Sequence, residues 1–313
     1  MSDRIRRFPH PSMRTIVGIA GVLLSAACST APSGSVGART STPADSEKPS
    51  PAPSPVECPG GECLPAEDLP GWRRIFTDDF AEPVELGRWS DCSFDAFVCL
   101  GLPEPYRNNW WAFLGGWTDH GTGLYSPSRV LSVSGGVLDF FIHSEDGAHL
   151  VAAAVPLLNG PGGSLGRLYG LYAVRFRADS LRGYKIAWLL WPDSEVWPRD
   201  GEIDFPEGNL DAVIEAYLHH RDGTASDDQA GYSSGVRVAS SWHTAVIEWT
   251  AGRVVFLLDG RVIGAPMERI PDTPMHWVFE TTTALDGSEP DDATQGHVQI
   301  DWVAVWEVDK PVE

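Results

Sequence analysis

The 313-residue chain is poor in basic groups: 23 Lys and Arg stand against 43 Asp and Glu, a formal net charge of −20. A field of that sign repels phosphate backbones and anionic headgroups. Nucleic acid is therefore excluded as a partner, sulfated polysaccharides are disfavoured, and a neutral ligand is the easier fit. Long apolar runs are also missing. Ile16 to Ala27 falls short of the roughly 20 residues that a bilayer span requires. No segment shows a convincing helical period, and there is no internal repeat. Neither an EF-hand spacing nor a phosphate-cradling glycine loop is present. Cysteine is sparse: five residues leave one unpaired in an oxidising compartment.

What is present at the N-terminus reads as an export signal. Arg4, Arg6, Arg7 and Arg14 form a basic head before the short apolar core, which ends in small residues. Arg6-Arg7 is a weak hint of a twin-arginine route, with an ordinary basic head as the plainer reading. The segment Leu24-Ser25-Ala26-Ala27-Cys28 resembles the lipobox of bacterial lipoproteins, with Ser25 where that pattern usually places Leu. Lipidation of Cys28 leaves Cys58, Cys63, Cys92 and Cys99, which pair most simply as Cys58–Cys63 and Cys92–Cys99, one of three connectivities. Ordinary cleavage and release into the medium is the alternative. Residues 1–27 are thus assigned to the signal, and loss of four Arg and one Asp brings the mature net charge near −23. Residues 28–66 are the lipid-bearing Cys and a stalk. Its stretch 29–57 has no aromatic residue, and 22 of those 29 positions are Ser, Thr, Pro, Ala or Gly. Such a stretch cannot bury enough apolar surface to offset its ordering entropy. As a coil it reaches on the order of 30 Å. The expected location is the outer face of the cell membrane, with membrane contact through the lipid alone.

Residues 67–313 have a different character: alternating apolar runs separated by Gly, Pro and Asp. Tyr172, Val174 and Phe176 alternate with Arg175 and Arg177, which predicts a strand with one buried face. His297 to Glu307 alternates likewise, placing Val298, Ile300, Trp302, Ala304 and Trp306 on one side. Ser134-Gly135-Gly136 separates Arg129–Val133 from Val137–His143, and Asp259-Gly260 separates Val254–Leu258 from Arg261–Gly264; both predict hairpins. Many short strands without helices indicate one all-β domain, a jelly-roll β-sandwich, expected to be monomeric.

Asp200-Gly201-Glu202-Ile203-Asp204-Phe205-Pro206-Glu207 carries the chemistry. Side chains alternate along a strand, so Glu202 and Asp204 share a face while Glu207 points away. One bulge restores the parity, and Pro206, unable to donate to a ladder, suits a bulge. The two glutamates then lie about four strand rises apart, roughly 13 Å at Cα. Leaning together across a concave sheet, they could bring their carboxyls to about 5 Å, the spacing of a nucleophile and an acid/base in a retaining glycosidase. Asp204 between them would hydrogen-bond the nucleophile and separate their protonation states. Spacing alone leaves a solvated acidic edge strand as an equal reading.

The run Trp197-Pro198-Arg199-Asp200-Gly201-Glu202-Ile203-Asp204-Phe205-Pro206-Glu207 resembles the active-site signature of glycoside hydrolase family 16, in its bulged Glu-x-Asp-x-x-Glu form. Further matches follow in the family's order: Phe76-Thr77-Asp78-Asp79-Phe80, Tyr169 to Arg177, Trp242-His243-Thr244, Ile247-Glu248-Trp249, Asp259-Gly260, and Ile300-Asp301-Trp302-Val303-Ala304-Val305-Trp306. The resemblance spans about residues 70–307. It implies a concanavalin A-like jelly roll with a concave substrate cleft and retaining, endo-acting cleavage of a neutral β-1,3- or β-1,3-1,4-glucan. Glu202 would match the nucleophile, Asp204 the assisting aspartate and Glu207 the acid/base. Many laminarin-cleaving members have Ile-Met in place of Phe205-Pro206, a departure that bears on the substrate more than on the reaction.

The chain holds 13 Trp, and aromatic faces suit sugar rings. Trp188 and Trp197 match family tryptophans near the cleavage point and are assigned to the cleft; Trp191, Tyr125 and Trp111 divide between rim and core, and Trp249, Trp302 and Trp306 go to the core. His219 is placed beside the carboxylates, with a surface histidine next to His220 as the plainer reading. Gly231-Tyr232-Ser233-Ser234-Gly235 fits a nucleophile-elbow pattern, but no helix follows and the segment reads as a loop. His219-His220 with Asp222, Asp227 and Asp228 fits no zinc spacing. The acidic loop Asp286–Asp292 reads as solvated, so a structural calcium is not indicated and no cofactor is required. Two rivals share the same surface: a carbohydrate-binding jelly roll without catalysis, and a transglycosylase using the same carboxylates.

Overall fold

The computed structural model describes residues 64–309, apart from 66, 161, 162 and 240. The signal, Cys28, Cys58, Cys63 and nearly all of the stalk lie outside the described residues. The described residues form a sheet of ten strands, a sheet of seven and a two-stranded ribbon. Helix among the described residues is confined to the single turns Tyr106–Asn109 and Pro127–Val130. The result is the jelly-roll β-sandwich that the alternating pattern predicts.

The larger sheet runs Arg261–Gly264, Arg253–Leu258, His243–Thr250, Gly170–Ala178, Gly296–Val308, Val137–Glu145, Ala148–Val151, Gly123–Tyr125, with Trp72–Asp78 also paired to Gly296–Val308 and Leu131–Ser134 to Val137–Glu145. The smaller runs Gln229–Arg237, Val213–His219, Glu202–Asn209, Tyr184–Pro192, Met275–Thr283, Ala153–Pro156, Trp110–Ala112. Alternation decides which side chains meet between them. Tyr172 and Phe176 of the larger sheet face Trp277 and Trp188 of the smaller, with ring centroids 5.4 and 5.0 Å apart. All four are sealed from solvent, and burying a large apolar side chain contributes about 1.5–3 kcal/mol.

Both hairpins form where their turn residues stand. Gly135 and Gly136, and Asp259 and Gly260, all take positive φ, as a type I′ turn requires. The strand before the first turn begins at Leu131, because Pro127 opens a helical turn through Val130. One face assignment is corrected. The pairing of Gly170–Ala178 with Gly296–Val308 slips at Asp301, where Arg175 faces Trp302 and Phe176 faces Ile300. The extra residue reverses the pleat. Val298 and Ile300 stay in the inter-sheet core, whereas Trp302, Ala304 and Trp306 turn to the outer face. There they form a second apolar cluster with Ala173, covered by Leu64 and Trp72. The Trp306 indole donates to the Glu67 carbonyl at 3.2 Å.

Candidate active site

The smaller sheet has one face in the core and one lining a groove of about 480 Å³. On Tyr184–Pro192, Ile186, Trp188 and Leu190 enter the core, and Lys185, Ala187, Leu189 and Trp191 line the groove. This parity corrects the placement of Trp188. It is fully buried, edge-on to Phe176 and Phe279, and cannot reach a ligand.

On Glu202–Asn209 the expected extra residue is present. Asp204 faces Tyr217 and Glu207 faces Glu215 across one neighbour; Leu189 and Ala187 face the same pair across the other. Three steps on the central strand thus match two on each side, a bulge at Phe205-Pro206. Phe205 goes into the core against Phe256, 5.5 Å between centroids, and Glu202, Asp204 and Glu207 all line the groove. Glycine holds both ends of this strand in place. At Gly201 (φ 76°) a Cβ would lie 2.6 Å from the His219 carbonyl oxygen, and at Gly208 (φ 141°) 2.7 Å from that of Val213.

Glu202 accepts the Trp197 indole N–H at 2.8 Å. Burial, then the charge of Asp204, pushes its carboxyl well above the usual range. Asp204 is also pushed well up, by burial and then by the charge of Glu207. Both Asp204 oxygens are shut from solvent without a hydrogen-bond partner among the described residues. A Glu202 carboxyl oxygen lies within 4.8 Å of one of them, and two buried carboxyls at that spacing favour one proton between them. The pair therefore titrates as a unit. His219 closes the cluster, its Nε2 3.4 Å from Asp204 and 3.8 Å from Glu202. Ligand atoms of Glu202, Asp204 and His219 lie within 4.8 Å of one another.

Glu207 stands apart from that pair. It accepts from the buried Lys185 Nζ at 2.6 Å. Burial alone would lower the Lys185 ammonium, but the charge and hydrogen bond of Glu207, then Asp204 and Glu202, leave it above its ordinary value. The strand thus separates one proton-sharing pair from one carboxyl tied to a cation.

Trp197 and Trp191 both line the groove, their rings 12° from parallel and 6.3 Å apart. Tyr125 sits one layer back, its hydroxyl donating to Glu280. Glu280 and Lys185 escaped the sequence reading. Each is the lone Lys or Glu of a largely buried strand, at the same parity as groove residues, and that pattern is the signal that could have found them. Burial, then Asp119, raises the Glu280 carboxyl to about 8.

The features set aside have structural roles. Gly231-Tyr232-Ser233-Ser234-Gly235 lies in the edge strand Gln229–Arg237, which corrects its reading as a loop. Ser233 is exposed there and Ser234 donates to the Ile214 carbonyl at 2.7 Å. His220 and Asp228 join Arg269 in a surface network. In the acidic loop Asp286 accepts from Ser288 and Asn209. Cys92 and Cys99 are disulfide-bonded.

Comparison with curated protein sequences finds no match. Among solved structures, the laminarinase from Rhodothermus marinus superposes with a TM-score of 0.61 at 23% identity, over 77% of this chain and 100% of that one. A variant of LamA from Zobellia galactanivorans, in complex with laminaritriose and laminaritetraose, gives 0.56 at 20%, over 75% and 98%. An endo-acting O-glycanase of the human gut microbiota that initiates mucin breakdown gives 0.60 at 18%, over 78% and 94%. At these identities the likeness is one of fold. Residues 165–304, which carry the carboxylate strand and both its neighbours, match the family model described as Glycosyl hydrolases family 16.

Proposed function

We propose that the protein is a retaining, endo-acting glycosidase of a neutral β-linked polysaccharide, a β-1,3- or mixed β-1,3-1,4-glucan. The observation that carries this reading is the bulge at Phe205-Pro206, which turns Glu202, Asp204 and Glu207 onto one wall of one groove. Glu202 attacks the anomeric carbon as the glycosidic C–O bond breaks, and Glu207 passes its proton to the leaving oxygen. Water then hydrolyses the glycosyl ester, giving its proton to Glu207 and restoring the Glu202 carboxylate. Asp204 keeps the shared proton and donates it as a hydrogen bond to ionised Glu202, whose other donor is Trp197. Lys185 orients Glu207 from the far side. The laminarin oligosaccharides held by the LamA variant support a glucan.

A reducing-sugar assay on laminarin, mixed-linkage glucan, galactan and a sulfated galactan tests the reading. Product is expected from the neutral glucans. Glu202→Gln should abolish it, and Glu207→Gln should lower kcat by about 10²- to 10⁴-fold, the usual worth of a general acid. Hydrolysis surviving Glu202→Gln would remove that residue as nucleophile.

The proposal extends to where the enzyme works. The basic head, short apolar core and Cys28 support export and lipid tethering. Cys28→Ala should move activity from the membrane fraction to the medium. Activity found in the medium for both forms would leave plain secretion.

A further inference from the structure

The chain has three lysines, Lys48, Lys185 and Lys310. Lys185 alone lies in a described strand, and it faces the groove. Tyr184 and Ile186 on either side of it enter the core, so alternation turns the lysine outward. No arginine and no other lysine lines the groove among the described residues. A lone ammonium taken out of water is costly unless an anion holds it. Glu207 does so at 2.6 Å, with the two side chains only 12% and 11% exposed.

That contact bears on the reaction because the two steps ask opposite things of Glu207. As the acid it must hold a proton when the leaving oxygen departs; as the base it must be ionised when water attacks. An ammonium within hydrogen-bond reach favours the ionised form. Lys185 does not escape the conflict by losing its own proton, since the charge of Glu207 outweighs burial and leaves the ammonium above its ordinary value. The carboxyls around Glu207 act in the other direction, their charge favouring a protonated neighbour. Glu202 and Asp204 share its strand. Glu215 stands opposite it on Val213–His219 and accepts from the Tyr217 hydroxyl at 2.6 Å. Glu280 lines the same groove from Met275–Thr283. Of the histidines, His219 sits at the Glu202–Asp204 end, and His120 lines the groove beside Lys185 from the loop before Gly123.

We propose that Lys185 is a positioning residue for the proton as well as for the carboxyl: it holds Glu207 ionised in the free enzyme, so that cleavage begins only after Glu207 has taken one proton from solvent, and it thereby fixes the pH above which activity fails. Lys185 keeps its three protons throughout. The proton on Glu207 passes to the leaving oxygen as the glycosidic C–O bond breaks and Glu202 bonds the anomeric carbon. Water attack then returns one proton to Glu207, and its release to solvent restores the ion pair. The inference rests on the glycosidase reading and adds to it a control of the working pH by a residue outside the carboxylate trio.

Profiles of kcat/KM against pH on a neutral β-glucan test it, since they report the protonation of the free enzyme. They are compared for the full chain as wild type, Lys185→Met and Lys185→Arg. Lys185→Met, which keeps a chain of comparable length and removes the charge, should move the alkaline limb up by about one pH unit or more. Lys185→Arg keeps the charge and should hold the limb near its wild-type position. A role in packing alone would lower the rate equally at every pH and leave the limb where it was, and that result overturns the inference. A second measurement needs no variant to fold. In wild type carrying ¹³Cε-labelled lysine, the Lys185 signal, one of three, should shift in a step at the pH of the alkaline limb; a signal flat through that pH also overturns the inference. Hydrolysis by the wild type with either negative result leaves the glycosidase reading standing. No hydrolysis at any pH overturns that reading and this inference with it.

Discussion

At the residue scale the groove is a set of carboxyls that burial would keep neutral and that neighbours sort into different duties. Glu202 is pushed up by burial and the charge of Asp204, and Asp204 by burial and the charge of Glu207, with Lys185 offsetting only part of the latter. Glu280 is an independent case that can be measured without substrate. Its carboxyl rises from 4.5 to about 8, burial being the main cause. A raised acid contributes stability that is complete below its unfolded pKa and is lost as pH climbs through the folded one. The protein should therefore lose stability between about pH 4.5 and pH 8, by about 3 kcal/mol at pH 7 from this group. Donation from the Tyr125 hydroxyl favours the ionised form and reduces that figure. Glu280→Gln removes the titration, and its melting temperature should stay flatter across this window than that of the wild type. Parallel pH profiles for the two proteins would contradict the assignment.

At the scale of the element, the bulge is what makes a site from a strand. Deleting Pro206 restores regular alternation and swings Glu207 toward the core, so activity should vanish. Pro206→Ala keeps the residue count and should retain activity within about tenfold, because the register with both neighbours depends on the count and not on the ring. A deletion variant as active as Pro206→Ala would contradict this account. The same physics explains what the sequence revealed and what it hid. Pro206 announced its bulge, since a proline in a central strand has few other places to be. Asp301 did not: aspartate gives no such cue, so an unbroken alternation from Val298 to Trp306 placed Trp302 and Trp306 in the wrong layer. Trp188 was misplaced for a related reason. Its neighbours Ala187, Leu189 and Leu190 are apolar on both faces, and only the parity of Lys185 tells groove from core.

At the scale of the whole molecule, composition and turn signals made the jelly roll legible, because both hairpins and most faces follow from local rules. The groove was not, since its sheet depends on pairings between strands more than a hundred residues apart, such as Met275–Thr283 with Ala153–Pro156. Long-range pairing also brings Glu280 to the groove wall, far from the carboxylate strand in sequence. The chain carries a net charge of −20 and the groove's cation, Lys185, is tied to Glu207, a balance that repels an anionic ligand. The most direct test follows the anomeric signals by proton NMR as the wild-type protein begins to cleave a neutral β-glucan. Retention predicts that the β-anomer of the new reducing end appears first and the α-anomer only later, by mutarotation. An α-anomer at the outset would contradict a covalent intermediate on Glu202.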